Sequence, residues 1–118
     1  MKLYYAPGAC SLAPHIALAE AGIAAEVIRV DLKSHTLPDG TDYHAVNPKG
    51  YVPVLELDDG SRFTEVAVLL QIIADQEAMQ SFYDLAAELG TTPDEILERY
   101  AVRNLLRHWR RTLLTAAA

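Results

Sequence analysis

The chain has 118 residues, a net charge of −6 and a hydrophobic fraction of 51%. This composition is typical of one soluble globular domain with a short appendage, and it excludes an intrinsically disordered chain. The single cysteine excludes an internal disulfide and is typical of a reducing compartment. An acidic chain does not favour nucleic acid or an anionic membrane as a partner. Because the N-terminus also has no signal-peptide core, the sequence predicts a cytoplasmic protein.

The first third of the chain predicts a strand, a helix and a second strand. Lys2 to Tyr5 is a short apolar run that Pro7 and Gly8 end, which predicts a buried strand. From Ser11 onward, apolar residues recur at three- and four-residue spacings, so we expect a helix with Ser11 as its N-cap and Gly22 as its C-cap. The β-branched residues within 25–32 predict the second strand.

The middle of the chain predicts a short helix, a hairpin and a longer helix. The short helix is expected over residues 42–46 and is followed by a loop of turn-forming residues, 47–53. Strands over 54–57 and 61–63 flank an Asp-Gly turn, and the next helix is expected over 64–76. The order β-α-β-(α)-β-β-α predicts an α/β (α+β) fold with a mixed four-stranded sheet and helices on both faces.

Two further helices are predicted after the sheet. The first covers residues 80–89 and ends at Gly90. The second begins at Thr92, with Pro93 in the first turn and Glu95 placed to close a capping box. Apolar residues continue the second helix to Leu114, and its apolar face includes Leu106 and Trp109.

One cysteine lies in the turn between the first strand and the first helix. Orphan N–H groups and the helix dipole stabilise a thiolate at such a position, so Cys10 is a candidate reactive thiol. The alternative interpretation is a small buried core residue. No second cysteine follows in a C-x-x-C arrangement, which argues against dithiol chemistry.

Two later segments are candidate ligand-binding backbone. Pro53 follows a turn-rich loop, so Val52-Pro53 is a candidate cis peptide that leaves the Val52 N–H and C=O free for an extended ligand. The alternative is a trans proline that starts a strand. At the start of the helix over 64–76, free N–H groups are suited to a carboxylate, and Glu65 is suited to an ammonium group. The alternative is that Thr64 and Glu65 only cap the helix.

Taken together, these motifs resemble a known family. The sequence is similar to the N-terminal thioredoxin-fold domain of bacterial, beta-class glutathione S-transferases, over about residues 1–76. The segments that carry the resemblance are 1–18, 30–32, 47–53, 63–65, 70–71 and 74–75. It implies a thioredoxin-like, glutathione-binding domain over 1–78. Residues 79–118 are then expected to form a truncated or rearranged version of the family's all-helical second domain.

The resemblance implies a role for each site residue. Cys10 would lie next to the glutathione sulfur, and Ser11 would assist by hydrogen bonding. The backbone of Val52, presented by cis Pro53, would pair with the cysteinyl part of glutathione. The γ-glutamyl end would be held by two neighbouring groups, the Glu65 carboxylate and the N–H of Val66.

Three differences from the family pattern stand out. His35 occupies the position where the family usually has a lysine near the glycyl carboxylate, and Lys33 is a candidate substitute. Val66 replaces the usual Ser, Gly or Ala. Arg107 and Leu114 align with the family's Asn and His glutathione contacts.

The implied function is conjugation of the glutathione thiolate to an electrophilic small molecule, with glutathione as co-substrate. Two alternatives remain open at this point: a non-catalytic glutathione-binding or dimerisation module, and a monothiol glutathione-dependent reductase that uses Cys10. The apolar face of the last helix predicts a homodimer, and the family resemblance implies one as well. No pair of histidines has metal-ligand spacing, so no metal site is expected.

Overall fold

A computed structural model describes residues 1–99 of the chain. Its strands are β1 (Lys2–Tyr5), β2 (Glu26–Arg29), β3 (Val54–Glu56) and β4 (Arg62–Phe63). Its helices are α1 (Leu12–Glu20), a 3-10 helix (Tyr43–Ala45) and α2 (Val66–Glu88), and residues 93–99 are also helical.

The four strands form one mixed sheet in the order β2-β1-β3-β4. The pairing of β1 with β2 is parallel, whereas β3 is antiparallel to both β1 and β4. In this register Leu3 lies between Val27 and Leu55. The arrangement confirms the predicted thioredoxin-like sheet and places the end of β1 near the start of β3.

Each face of the sheet has its own core. Successive β1 side chains point to opposite faces, so neighbouring residues of β1 belong to different cores. Leu3 packs with residues from α1 and α2, namely Leu18, Leu69 and Ile73. On the other face Tyr4 packs with Val30, Val54 and the fully buried Tyr43 of the 3-10 helix. These two cores fix the loops at the carboxyl end of β1, where the predicted site lies.

Helix α1 ends in a Schellman motif. The Ile23 N–H donates to the Leu18 carbonyl at 3.1 Å, and the Gly22 N–H donates to the Ala19 carbonyl at 3.2 Å. Gly22 has a φ of 65°, a conformation that glycine adopts without steric cost. The C-cap itself is Ala21, so Gly22 lies one position beyond the predicted cap.

Two predicted elements differ from the structure. The helices expected over 64–76 and 80–89 are one continuous helix, α2, because residues 77–79 contain neither Gly nor Pro and are good helix formers. The second strand is shorter than the predicted 25–32. It ends at Arg29 because Asp31 pairs with Thr36 in a local turn instead of continuing beside β1.

The chain divides into two compact units, of which Met1–Glu77 form the first and the residues from Ala78 onward the second. In the second unit the predicted capping box is present. The Glu95 N–H donates to Thr92 Oγ1 at 3.3 Å, and the Thr92 N–H donates to Glu95 Oε2 at 3.1 Å. The rest of the predicted last helix, with Leu106 and Trp109, lies outside the described residues. Within the described part, every helix is too short or too polar to cross a bilayer.

Candidate functional site

The β1–α1 turn is closed by a buried serine. Ser11 Oγ accepts from the Ala6 N–H and donates to the Ala6 carbonyl, both at 3.1 Å. Ser11 occupies the N-cap position of α1 but makes no capping bond with its side chain, because the hydroxyl is already committed to Ala6. The serine therefore ties the end of β1 to the start of α1 and shapes the turn that carries Cys10.

The Cys10 thiol meets the loop that precedes β3. Cys10 is exposed, and its Sγ lies 3.4 Å from the carbonyl oxygen of Val52, to which the thiol donates. These two residues are separated by 42 positions in the sequence. The fold thus brings together two of the three segments that the sequence analysis selected, and it leaves the thiol accessible rather than in the core.

The Val52-Pro53 peptide bond is cis, which confirms the assignment implied by the family resemblance. Both residues are buried. Among the hydrogen bonds between residues 1–99, the Val52 N–H takes part in none. Its carbonyl takes part only in the contact with Cys10. The backbone of Val52 therefore has hydrogen-bonding capacity left for a ligand.

The loop before Val52 is anchored through one carbonyl group. The carbonyl of Tyr51 accepts a bond of 3.1 Å from the Tyr43 hydroxyl and one of 2.8 Å from Asn47 Nδ2. Burial raises the pKa of Tyr43 well above its usual value, so the phenol stays protonated and remains a donor. Two buried side chains therefore hold the backbone next to Val52 in place.

Glu65 lies just before α2 and is exposed. Tyr51 donates its hydroxyl hydrogen to Glu65 Oε1 at 3.2 Å. The backbone of Glu65 has a φ of 72°, a left-handed conformation that is unfavourable for a residue with a side chain. The first N–H groups of α2, beginning with the half-buried Val66, are available as donors at a helix N-terminus. Glu65 and Val66 together thus offer an acceptor and a donor to a ligand.

His35 contacts the loop over residues 47–53 that leads to Val52. Its Nδ1 lies 3.1 Å from the carbonyl oxygen of Gly50, and its ring centroid lies 4.6 Å from that of His44. His44 in turn donates from Nδ1 to Asp42 at 2.8 Å. Hydrogen bonds from the backbone and side chain of His44 lower the pKa of Asp42, so this carboxylate stays ionised. We call the two imidazoles, His35 and His44, the histidine pair.

Gly50 fits this group because it has no side chain. A Cβ at this position would lie 3.0 Å from His35 Nδ1 and also from His44 Nε2, closer than van der Waals contact allows. The φ of Gly50 is 72°, which independently favours glycine. The histidine pair therefore packs directly on the backbone of the loop that leads to Val52.

Lys33 lies in the loop after β2. Its backbone N–H donates to Asp31 at 2.9 Å, and the residue lines a cleft of about 630 Å³ together with Ala6 and Pro7 at the end of β1. Among residues 1–99, no hydrogen bond or ion pair joins Lys33 to Cys10, His35 or Val52. Lys33 is thus not drawn into the arrangement that links Cys10, Val52 and the histidine pair.

Four residues that support the site were not selected from the sequence: Tyr43, His44, Asn47 and Tyr51. Tyr43 and Asn47 act through the carbonyl of Tyr51, and a bond to a carbonyl leaves no pattern in residue types. His44 and Tyr51 act through the side chains of Asp42 and Glu65, respectively. Asn47 carries the clearest signal, since an asparagine before Pro-Lys-Gly is a common turn former whose side chain bonds nearby backbone. Within the described range, no three side chains of the His, Cys, Asp and Glu types gather closely enough to hold a metal ion.

Comparison with protein families identifies the class that this fold and site define. The family model described as "Glutathione S-transferase, N-terminal domain" matches residues 8–76, more than half of the chain. The chain therefore belongs to the glutathione S-transferase family, as its sequence motifs indicate.

Individual relatives agree with this assignment. Glutathione S-transferase GstA of Escherichia coli O157:H7 is 55% identical over 75 residues, which cover 64% of this chain and 37% of that protein. The chain thus spans little more than a third of this curated relative's length.

Solved structures give the same picture. A bacterial beta-class glutathione S-transferase of Sphingomonas chungbukensis is 53% identical, with a TM-score of 0.63, and the match covers 64% of this chain and 38% of that chain. A sphingomonad glutathione S-transferase complexed with glutathione is 49% identical, with a TM-score of 0.65, over 70% of this chain and 41% of that chain.

Proposed function

We propose that this chain binds glutathione and takes part in transfer of the glutathione thiolate to an electrophilic small molecule. The observation that carries the proposal is the 3.4 Å contact between Cys10 Sγ and the Val52 carbonyl oxygen. It joins the reactive thiol to backbone that has hydrogen-bonding capacity to spare. The sphingomonad relative described as a complex with glutathione supports the choice of ligand.

The cysteinyl and γ-glutamyl parts of glutathione match groups on the described surface. The cysteinyl backbone would pair with the Val52 N–H and lie beside the Cys10 thiol. The γ-glutamyl ammonium would bind the Glu65 carboxylate, which Tyr51 already orients. The γ-glutamyl carboxylate would accept from Val66 and the following N–H groups at the start of α2.

The glycyl carboxylate is assigned to His35, which lies on the loop that leads to Val52. We prefer His35 to Lys33 because His35 bonds to Gly50 on the loop that leads to Val52, whereas Lys33 lines a cleft with Ala6 and Pro7. The three charged ends of glutathione would then be bound by Glu65, the α2 N-terminus and His35.

The proposed reaction is a nucleophilic substitution. Glutathione loses its thiol proton to solvent, and the thiolate sulfur attacks an electrophilic carbon. A carbon–sulfur bond forms while a leaving group such as chloride departs with its bonding electrons. The protein's contribution is to hold the sulfur near Cys10 in a fixed orientation, which lowers the entropic part of the barrier. Ser11 would assist by positioning the turn, since both hydrogen bonds of its hydroxyl go to Ala6.

The test is calorimetric titration of the full chain with glutathione, followed by a conjugation assay with a chloronitrobenzene. Glu65→Gln should weaken glutathione binding by about 1.5–3 kcal/mol, the range for a hydrogen bond to a charged group. Cysteinylglycine, which lacks the γ-glutamyl group, should bind wild type and Glu65→Gln equally. Glu20→Gln, an exposed change in α1, is the matched control and should leave both affinities unchanged.

The outcomes separate the competing functions. Binding together with chloride release supports the proposal. Binding without conjugation contradicts the transfer step and favours a glutathione-binding module, whereas reduction of a mixed disulfide without conjugation favours a monothiol reductase. Absence of glutathione binding overturns the proposal as a whole.

Further parts of the proposal concern the compartment, the oligomeric state and the second substrate. We propose a cytoplasmic homodimer with a small electrophile as its second substrate, on the basis of the family and the single cysteine. Replacing Leu106 and Trp109 with polar residues should then release monomers or cause unfolding. Sedimentation that shows a well-folded monomer for the unmodified chain at micromolar concentration would contradict the dimer.

A further inference from the structure

The tautomer of His35 follows from its hydrogen bond. The carbonyl oxygen of Gly50 can only accept, so His35 Nδ1, 3.1 Å away, carries a hydrogen. In the neutral ring the other nitrogen, Nε2, then holds a lone pair and cannot donate. Among the hydrogen bonds of residues 1–99, Nε2 of His35 has no partner, so it remains available to a ligand.

A neutral His35 therefore cannot bind a carboxylate through Nε2, because two lone pairs would face each other. Protonation of Nε2 changes both properties at once. The ring gains a donor and a positive charge, and a charge-assisted bond to a carboxylate becomes possible. A lysine at this position would not behave in this way, since it stays charged throughout the neutral range.

The surroundings of His35 place further charged groups near the ring. His44, on the 3-10 helix, lies at a ring-centroid distance of 4.6 Å, and its bond to Asp42 brings a carboxylate close to the pair. Lys49 precedes Gly50 on the loop that His35 contacts and lies 5.7 Å from the ring centroid of Tyr51. Lys33 is an exposed cation on the same loop as His35. The charged or titratable groups around the His35 ring are therefore His44, Asp42, Lys49 and Lys33.

We infer that His35 makes recognition of the glycyl carboxylate of glutathione dependent on pH, with tight binding in mildly acidic solution and weaker binding above neutrality. This inference rests on the proposed function, because it deepens the role of His35 within that site. Histidine changes charge between about pH 5 and pH 8. The affinity of the site for glutathione would thus depend on the surrounding pH. A lysine at position 35 would not produce this dependence.

The experiment uses the full chain and S-methylglutathione, whose blocked thiol removes sulfur ionisation from the measurement. Calorimetric affinities are compared at about pH 5.5 and about pH 8, on either side of the histidine range. Wild type should lose about tenfold in affinity at the higher pH, equivalent to about 1.4 kcal/mol. In His35→Lys the affinity should be nearly independent of pH. His15→Gln, which changes a histidine of α1 packed on Tyr5, should keep the wild-type dependence.

A second ligand isolates the carboxylate itself. The analogue with a glycinamide end cannot form the charged contact, so its affinity for wild type should be the same at both pH values. Equal pH dependence in wild type and His35→Lys would overturn the inference while leaving the proposed function intact. Failure of wild type to bind S-methylglutathione at either pH would instead overturn the proposed function.

Discussion

The Ser11 hydroxyl closes a ring of hydrogen bonds with Ala6 by accepting from its N–H and donating to its carbonyl, both at 3.1 Å. Ser11 is fully buried and Ala6 nearly so, which means that water cannot replace either bond. The turn between them contains Cys10, whose thiol reaches Val52. The position of the exposed cysteine therefore depends on the buried serine that follows it.

The first prediction concerns Ser11→Ala. Loss of the hydroxyl leaves the buried N–H of Ala6 without a partner, while the Ala6 carbonyl keeps a bond of 3.3 Å from the Ala9 N–H, so unfolding should be easier by about 1–3 kcal/mol. Urea unfolding measures the change. Ser34→Ala is a suitable control, because the Ser34 hydroxyl also makes one side-chain bond, to Thr36, but at an exposed position. The control should stay within about 0.5 kcal/mol of wild type, and an equal effect of both substitutions would contradict a special role for Ser11.

The second prediction concerns the left-handed backbone at Glu65. At an ordinary position alanine is the more stabilising residue, because glycine loses more entropy on folding. At a φ of 72° the Cβ of alanine costs about 1–2 kcal/mol, which reverses the order. Thermal unfolding should therefore find Glu65→Gly more stable than Glu65→Ala. Both variants lack the carboxylate and should lose glutathione affinity equally, so a stability order of Ala above Gly would argue against the left-handed conformation.

The third prediction concerns acid stability. Arg62 Nε donates to Glu56 Oε2 at 2.6 Å, and this bond lowers the pKa of the Glu56 carboxyl. A lowered folded-state pKa contributes stability that is present above the unfolded value, about 4.3, and is lost as the pH falls through the folded value. The free energy of unfolding of wild type should therefore fall more steeply below about pH 4.5 than that of Glu56→Gln.

Urea unfolding at several acidic pH values measures this difference. Other carboxylates titrate in the same range. The quantity to compare is therefore the difference in free energy of unfolding between wild type and Glu56→Gln at each pH. Asp75→Asn, at an exposed position of α2, should reproduce the wild-type slope. If the gap between wild type and Glu56→Gln does not change with pH, the Arg62 bond does not perturb Glu56.

Much of the fold was predictable because it depends on local patterns. A short apolar run, β-branched residues and an Asp-Gly turn identified the strands, and apolar spacing identified α1. The capping box at Thr92 and Glu95 identified a helix start from two residue types alone. The prediction of two separate helices over 64–76 and 80–89 was wrong. Residues 77–79, which are Glu, Ala and Met, separate the two predicted helices, yet the helix continues through them because they contain no breaker.

The site was predictable only in part. Cys10, Val52 and Glu65 stand in recognisable turns, so their positions could be inferred from the sequence. The orientation of Ser11 could not, since a hydroxyl at an N-cap position has two equally plausible partners, the helix start and the strand end. The packing of His35 on His44 depends on a contact between a loop and the 3-10 helix, which neither spacing nor composition encodes.

The last prediction concerns covalent capture of glutathione by Cys10. The thiol is exposed and lies next to Val52. It is the only thiol in the chain, so thiol–disulfide exchange can occur only at Cys10. On incubation with glutathione disulfide, the Cys10 thiolate should attack one sulfur and form a mixed disulfide. The other glutathione leaves as a thiolate, so two electrons are conserved between the old and new sulfur–sulfur bonds.

Mass spectrometry of the intact chain should show one added glutathione, and dithiothreitol should remove it. Cys10→Ala should show no addition. Glu65→Gln, which keeps the thiol but weakens the proposed γ-glutamyl contact, should react more slowly with glutathione disulfide yet at the wild-type rate with cystamine, a disulfide without carboxylates. Equal slowing with both reagents would mean that Glu65 acts on the thiol itself. Equal rates for wild type and Glu65→Gln with glutathione disulfide would mean that recognition of the tripeptide does not guide the reaction.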